Sequence, residues 1–222
     1  MWAFDYGADD VTLQNMIPSV KAIADLDDSA AEIADQVDYV REVTGSDKVN
    51  LVGHSQGGMH IKTYTQMHDG ADHVSHAVAL GGNFHGTTLN GQGEALSKII
   101  AFAPHLAAFM ASTAGIQQVV GSEFIKRLNA LPDTAPGVLY TSIYSPGDTT
   151  VTPNSSSQLA LGDGADVVNL DLSEVCGVAP RHDKLPTDPT VLSQVIFGLK
   201  RAPGEGPDPA TCASGEPSVV GS

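Results

Sequence analysis

Apolar positions along the chain fall either into short continuous runs or into stretches at helical spacing, and the alternation between the two predicts the architecture. Short runs of β-branched and apolar residues at 49–52, 74–80, 138–144 and 167–172 read as strands. Between them, apolar residues recur at helical spacing. Ile33, Val37 and Val40 predict a helix over 29–44, with Ser29 and Glu32 as a capping box and Gly45 as its stop. A second helix is predicted from residue 56 to about Gly70, and a short one over 124–128. Val191, Leu192, Val195, Ile196 and Leu199 stripe one face of a last helix opened by Pro189. Trp2-Ala3-Phe4-Asp5-Tyr6 reads as one more short strand, closed by a turn at Gly7, and residues 8–28 as polar and irregular. Strands alternating with helices predict an α/β fold, a mostly parallel sheet with helices on both faces.

Residues 1–200 suit one domain with one core, and residues 201–222 are predicted to be an irregular tail rich in Pro, Gly, Ser and Ala. Residues 93–120 are strongly apolar and carry little charge. Leu96, Ile99, Phe102 and Phe109 in this stretch fit either a core helix or a mobile cap over an apolar substrate, and periodicity does not separate the two.

Composition narrows the function classes. With 26 acidic and 11 basic residues the formal charge is −15, which argues against nucleic acid and against anionic membrane surfaces as partners. No apolar run is long enough to span a bilayer, and no signal peptide is visible at the N-terminus. The two cysteines, Cys176 and Cys212, fit one disulfide or two thiols. His68, Asp69, Asp72, His73 and His76 cluster within nine residues but are read as polar residues facing solvent rather than a metal site, and no cofactor motif is present.

The chemistry is concentrated at Gly53-His54-Ser55-Gln56-Gly57, a G-x-S-x-G pattern between a predicted strand and a predicted helix. In that context the serine rides a tight turn, the glycines let strand and helix pass closely, and the helix N-terminus points its free N–H groups at the same place. A serine hydroxyl needs a base, and the base needs a carboxylate to hold its tautomer. Of the eight histidines, only His182 follows the last strand and precedes the closing helix; His85 is the runner-up. His60, His68, His73 and His76 lie on or just after the elbow helix and are assigned to its surface. Asp148 directly follows the strongest strand and a Pro-Gly turn, which makes it the candidate acid. Ser55, Asp148 and His182 all come just past the ends of predicted strands, where parallel sheets collect their chemistry.

These stretches together resemble the secreted triacylglycerol lipases and esterases of bacteria, the class 2 lipase family of the α/β-hydrolase superfamily. The matching segments are Phe4-Asp5-Tyr6-Gly7, Ser29-Ala30-Ala31-Glu32, the run from Lys48 to Gly58, His85-Gly86-Thr87-Thr88, Gly121-Ser122-Glu123-Phe124, Gly137-Val138-Leu139-Tyr140-Thr141, and Asp148 with Val151-Thr152-Pro153. The resemblance implies an α/β-hydrolase fold with Ser55 as nucleophile, Asp148 as acid and His182 as base. It implies the Gln56 backbone N–H as an oxyanion donor, with His54, Leu96, Ile99, Phe102 and Phe109 near a small-molecule ester or lipid, and an extracellular setting. In that family a strand ending in His-Gly precedes the Tyr-Gly strand, carries the second oxyanion donor and lies beside the elbow strand. This chain starts after that point. The expectation is therefore a sheet lacking the usual N-terminal strands. Three repairs offer themselves: the Trp2–Tyr6 strand in that position with an N–H from residues 6–9 as donor, strand exchange in a homo-oligomer, or weak activity. Ester hydrolysis through an acyl-enzyme is the leading expectation. Acyl transfer with the same residues, and a truncated binding protein of hydrolase fold, are the alternatives.

Overall fold

In a computed structural model of the protein, residues 1–8, 20–103, 107 and 111–212 are described. Four strands form one parallel sheet in the order β1-β2-β3-β4: β1 (Val49–His54), β2 (Val74–Leu80), β3 (Leu139–Tyr144) and β4 (Asp166–Asp171). The register pairs His54 with Leu80, Leu80 with Ile143, and Tyr144 with Asp171, so the carboxyl ends of the strands lie level along one rim. Two apolar layers sandwich the sheet. Val37, Ile61, Tyr64, Ala77, Ala79 and Tyr140 fill one side, and Val78, Ile143, Leu170, Leu185, Val191 and Val195 fill the other. Among the described residues, no helix is long and apolar enough to cross a membrane.

The first helix, α1 (Leu26–Thr44), begins one turn earlier than the Ser29 capping box predicts. Asp25 is the N-cap, its Oδ1 accepting from the Asp27 N–H at 2.8 Å, because Leu26 and Ala30 must be buried and this start turns them inward. Ser29 is thereby inside the helix. Glu32 reaches instead to the Gly7 N–H, which donates to its Oε2 at 2.9 Å.

The Trp2–Tyr6 segment corrects a second expectation. Among the described residues it forms no strand and pairs with none. Met1, Trp2 and Phe4 face Asn50, Leu51 and Val52 across cavities of about 590 and 290 Å³. Among the described residues β1 is consequently an edge strand, and Val52 is 51% exposed. Tyr6 packs edge-on against His60, which corrects the surface assignment of that histidine: it is 2% exposed. Burial pulls its pKa down to about 3, so the ring is neutral.

The chain beyond residue 200 is tied down as far as Cys212. The buried Arg201 guanidinium donates to Asp166 Oδ1 at 2.6 Å, to Thr141 Oγ1 at 3.0 Å and to the Tyr140 carbonyl at 2.9 Å, clamping β3 to β4. Gln194 reaches Thr211, and Cys176 and Cys212 are joined in a disulfide with their Cα atoms 5.4 Å apart.

Candidate active site

The elbow is built as its glycines require. β1 ends at His54, and the second helix, α2 (Gln56–Met67), begins at Gln56, leaving Ser55 alone to make the turn. Ser55 has φ 56° and ψ −120°, a conformation rarely tolerated by a residue with a side chain. It is held there by its N–H donating to the Leu80 carbonyl at 2.9 Å and by its carbonyl accepting from Gly58 at 3.0 Å. A Cβ on Gly53 would collide with the Gly57 carbonyl, because strand and helix touch backbone to backbone here. Gly53→Ala is therefore expected to displace Ser55 and destabilise the fold by about 2 kcal/mol or more. Denaturant unfolding checks this, and a wild-type midpoint would overturn the reading.

His182 and Asp148 meet at the same rim. His182 Nδ1 lies 2.6 Å from Asp148 Oδ2, and both side chains are largely buried. A carboxylate can only accept, so His182 carries its proton on Nδ1 and leaves Nε2 free to act as a base. Asp148 is fixed from its other oxygen: Oδ1 accepts from the Thr150 N–H at 2.7 Å and the Val151 N–H at 3.0 Å. Burial raises the Asp148 pKa, but the hydrogen bonds from His182, Val151 and Thr150 outweigh it and hold the carboxyl below its ordinary value. Ser55 sits beside this pair through two neighbours. Leu80, which takes the Ser55 N–H, precedes Gly81, and a Cβ on Gly81 would stand 3.1 Å from Asp148 Oδ2 and 3.2 Å from His182 Nδ1. His54, the residue before Ser55, has its ring centroid 4.6 Å from that of His182. Among the described residues, no hydrogen bond joins Ser55 Oγ to His182.

The runner-up base, His85, is engaged elsewhere. Its Nδ1 lies 2.9 Å from Asn129 Oδ1, and its Nε2 lies 3.0 Å from the Gln158 carbonyl and 3.3 Å from Asp133 Oδ2. In the third helix, α3 (Gly93–Phe102), Ile99 is 43% and Phe102 93% exposed, so this face is not core. Phe109 and the Leu96 side chain lie outside what is described. Gln56 heads α2, and its side chain donates to the Ala22 carbonyl at 3.2 Å. The Gly7 N–H, one candidate for the second oxyanion donor, is taken by Glu32.

Residues around the pair to which the sequence assigned no role hold its loops. Ser145 Oγ donates to the Pro180 carbonyl at 2.7 Å, joining the acid turn to the base loop. Thr87 Oγ1 donates to the Thr150 carbonyl at 2.6 Å, and Thr88 Oγ1 lies 2.8 Å from Thr152 Oγ1. The paired threonines after His85-Gly86 were the available signal.

Residues 12–98 match the family model of the alpha/beta hydrolase fold. The wider likeness is to solved hydrolases. Lipase B of Aspergillus fumigatus matches 89% of the chain with a TM-score of 0.69 at 24% identity. This is an α/β-hydrolase fold. The hydrolase fold recurs in the propeptide form of Bacillus licheniformis lipase BlEst2, which matches 82% of the chain and 42% of its own at 18% identity and a TM-score of 0.57. A gene product of Listeria innocua matches 84% of the chain and 72% of its own at 16% identity and a TM-score of 0.55. The chain spans about half the length of the Aspergillus lipase, 48% of it. No curated protein sequence matches.

Proposed function

We propose that the protein is a serine carboxylic-ester hydrolase of the lipase and esterase type, working through an acyl-enzyme. The observation that carries this reading is Ser55 on a strained elbow beside the His182–Asp148 pair, 2.6 Å apart. Ser55 Oγ bonds to the ester carbonyl carbon while His182 Nε2 takes the hydroxyl proton. The tetrahedral adduct collapses, the C–O bond to the alcohol breaks, and His182 returns the proton to the departing alkoxide. Water then attacks the acyl-enzyme, His182 taking its proton. The second collapse frees the acid and returns the proton to Ser55. Asp148 keeps His182 in the tautomer that allows both transfers and stabilises the imidazolium between them. The backbone N–H of Gln56, at the N-terminus of α2, faces the developing oxyanion.

The apolar stretch 93–120, with Leu96, Ile99, Phe102 and Phe109, favours esters with apolar acyl chains. The disulfide Cys176–Cys212 suits an oxidising, extracellular setting, in keeping with the bacterial secreted lipases and esterases that the sequence resembles. Because Glu32 occupies the Gly7 N–H, that group gives the oxyanion no help. Labelling with a fluorophosphonate, mapped by peptide mass, is expected to mark Ser55 and to vanish in Ser55→Ala. A chain-length series of nitrophenyl esters is expected to be hydrolysed by wild type alone. Folded protein that neither labels nor turns over ester would overturn the proposal.

A further inference from the structure

We infer that His54 is a positioning residue for His182, tying the base loop directly to the strand that carries the nucleophile. The inference rests on the ester-hydrolase reading above. His54 Nε2 lies 3.1 Å from the His182 main-chain carbonyl. A carbonyl can only accept, so His54 carries its proton on Nε2 and donates it. The two rings also meet, with centroids 4.6 Å apart and planes 38° apart. His182 is thus held from two sides: its ring by Asp148 at Nδ1, its backbone by His54.

The arrangement suits the chemistry because the two residues that must stay in register, Ser55 and His182, sit on segments 127 positions apart. The turn His182–Lys184 is short, and the exposed Arg181, Asp183 and Lys184 around it pair only with one another. Without the His54 contact the base loop would depend on the Asp148 bond, the Ser145–Pro180 bond and the packing of Leu185. Loss of registration by about 1 Å costs on the order of 100-fold in a positioned reaction. Burial, and next the charge of His182, lower the His54 pKa against the pull of its own bond to the His182 backbone and of Asp148. A neutral His54 adds no second positive charge beside the imidazolium that forms in each half-reaction. The face of the molecule that the sequence offered as a substrate contact at His54 is in this way turned to the base instead.

The test compares His54→Phe, which keeps a ring but has no donor, with His54→Gln, whose amide nitrogen reaches where Nε2 stood. On nitrophenyl esters His54→Phe is expected to lower kcat about tenfold or more with KM changed less than about twofold. His54→Gln is expected to recover kcat to within about threefold of wild type. Phe and Gln variants equally active, or equally impaired, would overturn the inference. Nitrogen NMR of the imidazoles in the wild type reads the contact without turnover: a neutral Nε2–H tautomer at His54 supports it, and a neutral Nδ1–H tautomer overturns it. If the wild type hydrolyses no ester and Ser55 does not label, the ester-hydrolase reading fails and takes the kinetic role of His54 with it. The tautomer then still decides the contact.

Discussion

Replacing Asp148 by asparagine is expected to lower kcat about 10⁴-fold while leaving the fold intact. The reason is the way each carboxylate oxygen is committed. Oδ1 accepts two main-chain N–H groups, from Thr150 and Val151, and Oδ2 faces His182 Nδ1. An asparagine must keep its oxygen toward the two N–H donors, since an amide NH₂ there would meet donors with a donor. Its NH₂ then points at His182, which can respond only by making Nδ1 an acceptor and moving its proton to Nε2. A histidine protonated at Nε2 cannot take the Ser55 proton. Steady-state kinetics with circular dichroism as the folding control measures this, and a loss under about tenfold would show that His182 does not depend on Asp148. Since the folded-state pKa of Asp148 is lowered, the stability it contributes is present above the unfolded carboxylate range, near pH 4, and is lost as pH falls through the folded value.

Replacing Asp133 by alanine is expected to destabilise the protein by about 3–5 kcal/mol without touching the candidate active site. Lys62 points from α2 to Asp133 Oδ1 at 2.6 Å, and its side chain is 1% exposed. Asp133 Oδ2 also accepts the Ala160 N–H at 2.8 Å and faces His85. The two partners of the ion pair shift for different reasons. Burial lowers the Lys62 pKa more than Asp133 raises it. At Asp133 burial raises the pKa, but the bonds from His85, Lys62 and Ala160 outweigh it and hold the carboxyl well below its ordinary range. Removing the carboxylate strands an ammonium with almost no access to water. Adding Lys62→Met to Asp133→Ala is expected to restore a large part of the loss, because the stranded charge goes with it. Urea unfolding of the two single variants and the double variant reads the cycle; a double variant no more stable than Asp133→Ala would argue against a stranded charge. The His85 side of the cluster adds a pH signature. Its pKa is raised, chiefly by Asp133 against the cost of burial, so its stabilisation is complete below the unfolded histidine value near 6.5 and fades as pH rises through the folded one.

Much of the fold was legible because it is written in local pattern. Short continuous apolar runs and period-3.6 apolar spacing located β1, β2, β3, the elbow helix and the closing helix to within a few residues. The elbow was legible for a stronger reason: at Gly53 the backbone of the facing helix leaves no room for a side chain, and Gly58 is closed in the same way by Gly82, whereas a Cβ on Gly57 would meet nothing. The order of Ser55, Asp148 and His182 could be read because a parallel sheet aligns its strand ends along one rim, although His182 follows the last strand only after the short helix Leu172–Cys176.

Other features depend on what stands opposite, and a one-dimensional pattern does not contain that. Trp2–Tyr6 has the alternation of a strand, yet strandhood needs a hydrogen-bonded neighbour, and in this fold the segment faces β1 across cavities rather than a ladder. Ser29 and Glu32 have the spacing of a cap, but burying Leu26 moves the helix start back to Asp25. His60 is a polar residue on a helix that looks two-faced, yet in the fold its ring is buried with Tyr6 packed edge-on against it. Arg201 reads as the first residue of a loose tail until Asp166 and the Tyr140 carbonyl are found around it. By itself, then, the sequence determined which residues are candidates for the chemistry, because reactivity resides in side-chain type and order along the chain. The tertiary structure alone decided their commitments, with His182 Nδ1 to Asp148 and its carbonyl to His54, because hydrogen bonds are made between segments that only folding brings within 3 Å or so of one another.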